Sequence, residues 1–180
     1  MVPVTWLAAL LLAASIVSWL RKRSWTERMR GPGINAAIGA GAGAGALVFA
    51  LFFTPMIEGY SGQAVQWSMY PIVRGSGTAF VTVALLIAVG CLASELVFRA
   101  FLVELGHEFT KNYAVAIVVA ALAEALLAEG DPAVRLGAGV FSVGLGWMYV
   151  ASGRSILAPL CARLVFSLGA LVLEALRVVG

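Results

Sequence analysis

Thr78-Ala-Phe-Val-Thr-Val-Ala-Leu-Leu-Ile-Ala-Val-Gly-Cys-Leu-Ala-Ser-Glu-Leu-Val-Phe-Arg-Ala-Phe-Leu-Val103 is a run of 26 residues with two charges, Glu95 and Arg99, both in its last third. A helix needs ~20 apolar residues to cross a hydrocarbon core, and this run exceeds that. Further apolar runs flank it: Val2–Leu20 and Ile34–Ile57 before, then Tyr113–Ala128, Leu136–Ala151 and Ile156 to about Val179. Of the 180 residues 62% are hydrophobic and 12% charged, against ~25% charged in a soluble domain. A soluble chain of this length cannot hide so much apolar surface. The expected fold is therefore all-α: a polytopic membrane bundle of about six transmembrane helices. Residues 1–77 hold two spans and a polar connection, and residues 78–180 hold a four-helix core.

Several function classes fall away on composition. The net charge of +3 is concentrated in Arg21, Lys22, Arg23, Arg28 and Arg30, directly after the first apolar run. Such a cluster is a topology signal or an anionic-lipid contact. No basic patch with interleaved aromatics exists, so nucleic acid is not a partner. Cys91 and Cys161 lie inside apolar runs and read as buried small residues. One histidine, His107, cannot hold zinc by itself, and no nucleotide or haem motif is present; no metal or cofactor is expected.

The first run has no basic stretch before it, so it reads as an uncleaved span and not as a signal peptide. With the N-terminus outside, Arg21, Lys22, Arg23, Arg28, Arg30, Lys111 and Arg154 fall inside, and Arg74, Arg135 and Arg177 outside. Seven against three supports that orientation. Ten arginines against two lysines, with abundant Ala and Gly, resemble GC-rich bacterial coding and suggest a bacterial cytoplasmic membrane. The repeat Gly39-Ala-Gly-Ala-Gly-Ala-Gly45 reads as a packing seam, since small residues four apart let helices approach closely. Trp67, Tyr60 and Tyr70 suit an interfacial segment. Glu104, His107, Glu108, Lys111 and Asn112 form a polar turn, in which His107 is solvated. Glu129-Gly-Asp-Pro132 and Ser152-Gly-Arg-Ser155 end the fourth and fifth runs.

Four charges fall well within spans: Glu95, Arg99, Glu124 and Arg163. Each costs ~2.5–3.5 kcal/mol at the bilayer centre on insertion scales, so they should face inward and pair. Glu95 and Arg99 are four apart and share a helix face. Arg163 needs an acid from another helix, and Glu95, Glu124 and Glu129 are the candidates.

At Ser94-Glu-Leu-Val-Phe-Arg-Ala-Phe-Leu102 the chain resembles the CPBP family, the CAAX-protease and bacteriocin-processing glutamic intramembrane proteases. Their first motif is Glu-Glu-x-x-x-Arg, often with Phe before the Arg and Gly-Phe-Leu after it, and Glu95, Phe98, Arg99, Phe101 and Leu102 match. Ser94 stands in place of the first glutamate, regarded as catalytic, and Ala100 in place of the usual glycine. The second motif, Phe-x-x-x-His, has its counterpart in Ala125-Leu-Leu-Ala-Glu129, with Glu129 replacing the histidine. The third, His-x-x-x-Asn, becomes Arg163-Leu-Val-Phe-Ser167, after a turn-like Ser152-Gly-Arg-Ser-Ile-Leu-Ala-Pro159. The resemblance spans roughly Thr78 to Leu173 and implies a family-like helical core in the last four spans.

The resemblance also implies a mechanism in which a glutamate activates water, histidines assist and the asparagine side stabilises an oxyanion. Ser94 cannot replace a carboxylate as general base. Arg163 can donate to an oxyanion but cannot accept a proton. Glu95 and Glu129 are the bases left near the expected site. The favoured expectation is a degenerate homologue that binds a transmembrane or lipidated segment, or assists another protease or export system. The alternatives are an active endopeptidase rebuilt on Glu95 or Glu129 with Arg163, and a small transporter or channel subunit. For Arg163 the preferred partner is Glu129, as a reciprocal replacement of two family histidines, with Glu95 second.

Overall fold

The computed structural model describes residues 29, 31–61, 71–128 and 132–176. The run Val2–Leu20, the cluster Arg21, Lys22, Arg23, Arg28 and Arg30, and Trp67, Tyr70, Glu129 and Arg177 lie outside them. Regular structure among the described residues is helical throughout. In chain order it comprises α1 (Pro32–Ser61), a 3-10 turn (Pro71–Val73), α2 (Gly77–Glu95), a π-helical stretch (Leu96–Val103), α3 (Glu104–Thr110), α4 (Tyr113–Leu127), α5 (Pro132–Ala151) and α6 (Leu157–Ala175). Four described helices are long and apolar enough to cross a membrane: Pro32–Met56 within α1, the continuous Gly77–Thr110, α5 and α6. The apolar α4, at 15 residues, is shorter. These fit a multi-pass membrane bundle.

Local sequence sets the helix ends. Ser76 caps α2, its side chain accepting from the Ala79 amide at 3.3 Å. Asn112 caps α4, its Oδ1 accepting from the amides of Ala114 at 2.9 Å and Val115 at 3.5 Å. Such side chains satisfy amides that have no carbonyl partner within the helix. α5 starts at Pro132, earlier than the apolar pattern at Leu136 suggests, because proline is preorganised for the first helical position. The expected polar turn after Val103 is largely helix: α3 carries the chain on to Thr110. Lys111 then reverses it, in the left-handed region at φ +56°.

The Gly/Ala repeat of α1 is a packing seam on one of its faces. A Cβ on Gly39 would lie 2.1 Å from the Ala158 carbonyl oxygen, and one on Gly43 2.2 Å from that of Ala162. Further along, Gly169 of α6 receives Leu47. The matched order of these contacts means that α1 and α6 run parallel. Gly41 and Gly45, on the other face of α1, meet nothing within 4 Å.

The remaining helices alternate in direction, with small residues at several crossings: Gly106 against Ala116, Gly139 beside Ala125, and Gly146 under Ile117. Leu96, Ala100, Val103, Ala116, Ile117, Ala120, Tyr149 and Ile156 form the buried apolar core, with Met29 packed against it. The end of the bundle near Met29 also holds Lys111 and Arg154. Arg74 and Arg135 belong to the opposite end.

That first end is closed by a polar cluster. Tyr149, fully buried, donates to Glu104 Oε1 at 2.9 Å, and Arg154 Nη1 meets Glu104 Oε2 at 3.2 Å. Partial burial works against the Arg154 charge, but the Glu104 carboxylate together with Tyr113 and Tyr149 more than offsets this and holds its pKa above the ordinary arginine value. His107 is not a solvated turn residue. It sits on α3 with its ring stacked on Tyr113, centroids 3.7 Å apart. Tyr149→Phe deletes a buried hydrogen bond to a charged acceptor and should lower stability by roughly 1.5–3 kcal/mol. Thermal unfolding in detergent reads this, and an unchanged midpoint would remove the cluster from the list of structural clasps.

Candidate functional site

Where α2 gives way to the π-helical stretch, Glu95 and Arg99 turn into the protein interior, both fully buried. Widened helical turns of this kind recur at functional sites. The two residues face each other with Arg99 Nε 3.5 Å from Glu95 Oε2. Two more helices supply the countercharges. From α4, Glu124 Oε2 accepts from Arg99 Nη1 at 3.0 Å. From α6, Arg163 Nε donates to Glu95 Oε1 at 2.5 Å, and its Nη2 donates to Glu124 Oε1. Ser142 of α5 completes the group, accepting from Arg99 Nη2 at 3.1 Å and donating to Glu124 Oε2 at 2.6 Å.

The four charges anticipated within the spans thus form one electroneutral quartet, with a contributing helix on every side. The preferred partner of Arg163, Glu129, is not among the described residues. The carboxylates that meet Arg163 are Glu95 and Glu124. The reason is geometric. Glu124 and Arg163 sit at the depth of the Glu95–Arg99 pair, so one planar guanidinium bridges two acids from two helices.

Beside the quartet lies a cleft of about 320 Å³ between α2 and α6. Ser94, Arg163 and Ser167, three of the positions at which the family-like motifs are altered, line it together with Cys91. The Cys91 thiol is 3.9 Å from the Ser167 hydroxyl. The walls are apolar, chiefly Ile87, Phe166, Ala170 and Leu171, and Glu174 stands at the far end. Glu95 and Arg99 are not on the cleft surface; they lie behind Arg163, in the quartet. Among the described residues no group of His, Cys, Asp and Glu is arranged to hold a metal ion.

Two participants escaped the sequence reading. Ser142 is the lone hydroxyl in α5 between Arg135 and Tyr149, and a solitary polar residue in an apolar span is a signal that it bonds across helices. Glu174, 2% exposed, follows Arg163 by eleven residues and Ser167 by seven, spacings that put all three on one face of α6.

No curated protein and no solved structure matches the chain. A family model does: that of type II CAAX prenyl endopeptidase Rce1-like proteins, over residues 76–169. The match covers more than half of the chain, from the cap of α2 into α6, and takes in all four charges of the quartet and the cleft-lining Ser94 and Ser167. With the buried Glu95–Arg99 pair at its centre, the chain is a membrane protein that belongs to the CPBP family, in the group of type II CAAX prenyl endopeptidase Rce1-like proteins.

Proposed function

We propose that this chain has lost proteolysis and kept the binding role of its fold. In this reading the α2–α6 cleft holds a transmembrane or lipidated segment of another protein, and the chain serves as an accessory in membrane-protein processing or export. The observation that carries the reading is the capture of the carboxylates. A general base needs a carboxylate free to take a proton from a water beside the scissile bond. In Glu95 and Glu124, three of the four oxygens accept guanidinium hydrogen bonds, and the fourth, Glu95 Oε2, faces Arg99. At the place of the family's catalytic glutamate stands Ser94, which cannot do that work. Glu174 is seven residues beyond Ser167, ~10 Å along the helix axis, and so out of reach of it.

The location that goes with this reading is a bacterial cytoplasmic membrane, with the Lys111 and Arg154 end inside and the N-terminus outside. Its partners are the bilayer and the bound segment, and no cofactor enters. The test is a cleavage assay with the purified chain in proteoliposomes, on a prenylated peptide and on a plain transmembrane substrate. No product above the protein-free control is expected. Reproducible cleavage that Glu95→Gln or Glu129→Gln abolishes would overturn the proposal in favour of a rebuilt endopeptidase.

A further inference from the structure

Within the quartet, Arg163 spends Nε on Glu95 and Nη2 on Glu124. Its third nitrogen, Nη1, has no hydrogen-bond partner among the described residues and is not sealed from the surface. Since Arg163 lines the cleft, that nitrogen is left to the cleft. The Ser94 hydroxyl is in the same situation, and Ser167 has only the long contact from Cys91. The cleft therefore offers a cationic N–H group and two hydroxyl groups toward one end, apolar wall along its middle and the Glu174 carboxylate at the far end.

Size and charge narrow the occupant. At about 320 Å³ the cleft is at the lower edge of the range for small-molecule sites. A helix ~10–12 Å across does not enter it, whereas a single chain does. The walls run along α6 from Arg163 to Glu174, a rise of ~16 Å, which suits an extended hydrocarbon. Because Arg99 and Arg163 are already balanced by Glu95 and Glu124, an anionic head would leave an uncompensated charge within the membrane. A neutral acceptor leaves none. The geometry points to a fatty acyl chain bearing an ester or amide carbonyl. Its carbonyl oxygen accepts from Arg163 Nη1 and the Ser94 and Ser167 hydroxyls, and its tail lies along Ile87, Phe166, Ala170 and Leu171. A hydrocarbon joined through a thioether lacks that acceptor. This inference rests on the binding reading given above and names the chemical class bound. An acyl group attached to a peptide and the acyl ester of a membrane lipid present the same carbonyl.

The experiment uses the full chain in nanodiscs, photolabelled with a palmitoyl ester that carries a diazirine on its tail, with the labelled residues mapped by mass spectrometry. Label should fall on α2 and α6 residues of the cleft. Unlabelled methyl palmitate should displace it about tenfold better than octadecane, the expected gain from one charge-assisted hydrogen bond. Ser94→Ala with Ser167→Ala, which leaves the quartet untouched, should cut the ester preference severalfold without changing displacement by the alkane. Ala170→Phe, which fills the cleft, should remove the label. Equal displacement by ester and alkane overturns the carbonyl inference while leaving an apolar groove. Absence of label from the cleft overturns it too. Label with the stated preference, in a chain that binds no protein segment, upholds the inference and sinks the accessory reading. An N-palmitoyl peptide and a diacyl phosphatidylcholine, run as competitors, distinguish the two sources, and weaker competition by both than by octadecane also overturns the inference.

Discussion

Arg163→Ala is expected to cost about 3–5 kcal/mol of stability, the largest effect of any single side-chain truncation in the bundle. The substitution leaves Glu95 and Glu124 sharing one guanidinium, that of Arg99, and takes the quartet from neutral to a net charge of −1 in the protein interior. The penalty is less the lost attraction than the acid left without its guanidinium. The measurement is folded yield and thermal unfolding in detergent. Adding Glu124→Gln to Arg163→Ala restores neutrality and should recover a large part of the loss, because Arg99 keeps Glu95. Adding Glu129→Gln instead should recover nothing. Strict additivity of Arg163→Ala and Glu124→Gln would mean that the two residues do not couple, and the quartet would not be the unit that holds four helices together.

The second large effect belongs to the seam between α1 and α6. Gly39→Val with Gly43→Val places side-chain carbon within about 2 Å of the Ala158 and Ala162 carbonyl oxygens. These are backbone atoms of a helix, so they cannot swing aside as a side chain would. Overpacking in a core costs ~1–3 kcal/mol per site where neighbours adjust. Here the pair should exceed that range and part the two helices. Cysteines placed at Leu47 and Gly169, which touch in the native seam, supply the readout: their cross-linking should fall to background in the double variant. Gly41→Val with Gly45→Val changes the same chemistry one helical face away, where nothing lies within 4 Å, and should leave cross-linking intact. Equal loss in both pairs would assign the effect to helix propensity and not to close approach.

The fold was legible because its cause is compositional. Long apolar runs can be counted, and the two acids and two bases in the spans demanded partners whatever the topology. The Gly39–Gly45 repeat announced a seam, but not which face would be used. That depends on where α6 lies, and both Gly39/Gly43 and Gly41/Gly45 satisfy the four-residue spacing equally. The site was half legible. Glu95 with Arg99 follows from spacing on one helix. The meeting of Arg163 with Glu124 does not, because it is fixed by the depth at which α4 and α6 cross. Family resemblance drew attention to Glu129, where a motif histidine is missing. The pairing rule by itself favoured neither. The end of the third helix was misplaced because Glu104 and His107 look like turn residues until Tyr149, Arg154 and Tyr113 are seen to receive them.

The shortness of α4 has a consequence for the solvent around the protein. Its 15 residues rise ~22 Å, against a hydrocarbon layer of ~30 Å. The face it turns outward, Val115, Val118, Val119, Leu122 and Leu126, is apolar and exposed, so lipid tails must meet it. On that flank the acyl layer is drawn inward by several ångströms, at a cost of fractions of a kcal/mol per ångström of mismatch. The other sides, covered by α1 and the continuous Gly77–Thr110 helix, impose no such compression. The bundle thus deforms its annulus asymmetrically, with a lasting dimple along one side. Bilayer thickness becomes a variable to which this protein responds through geometry alone.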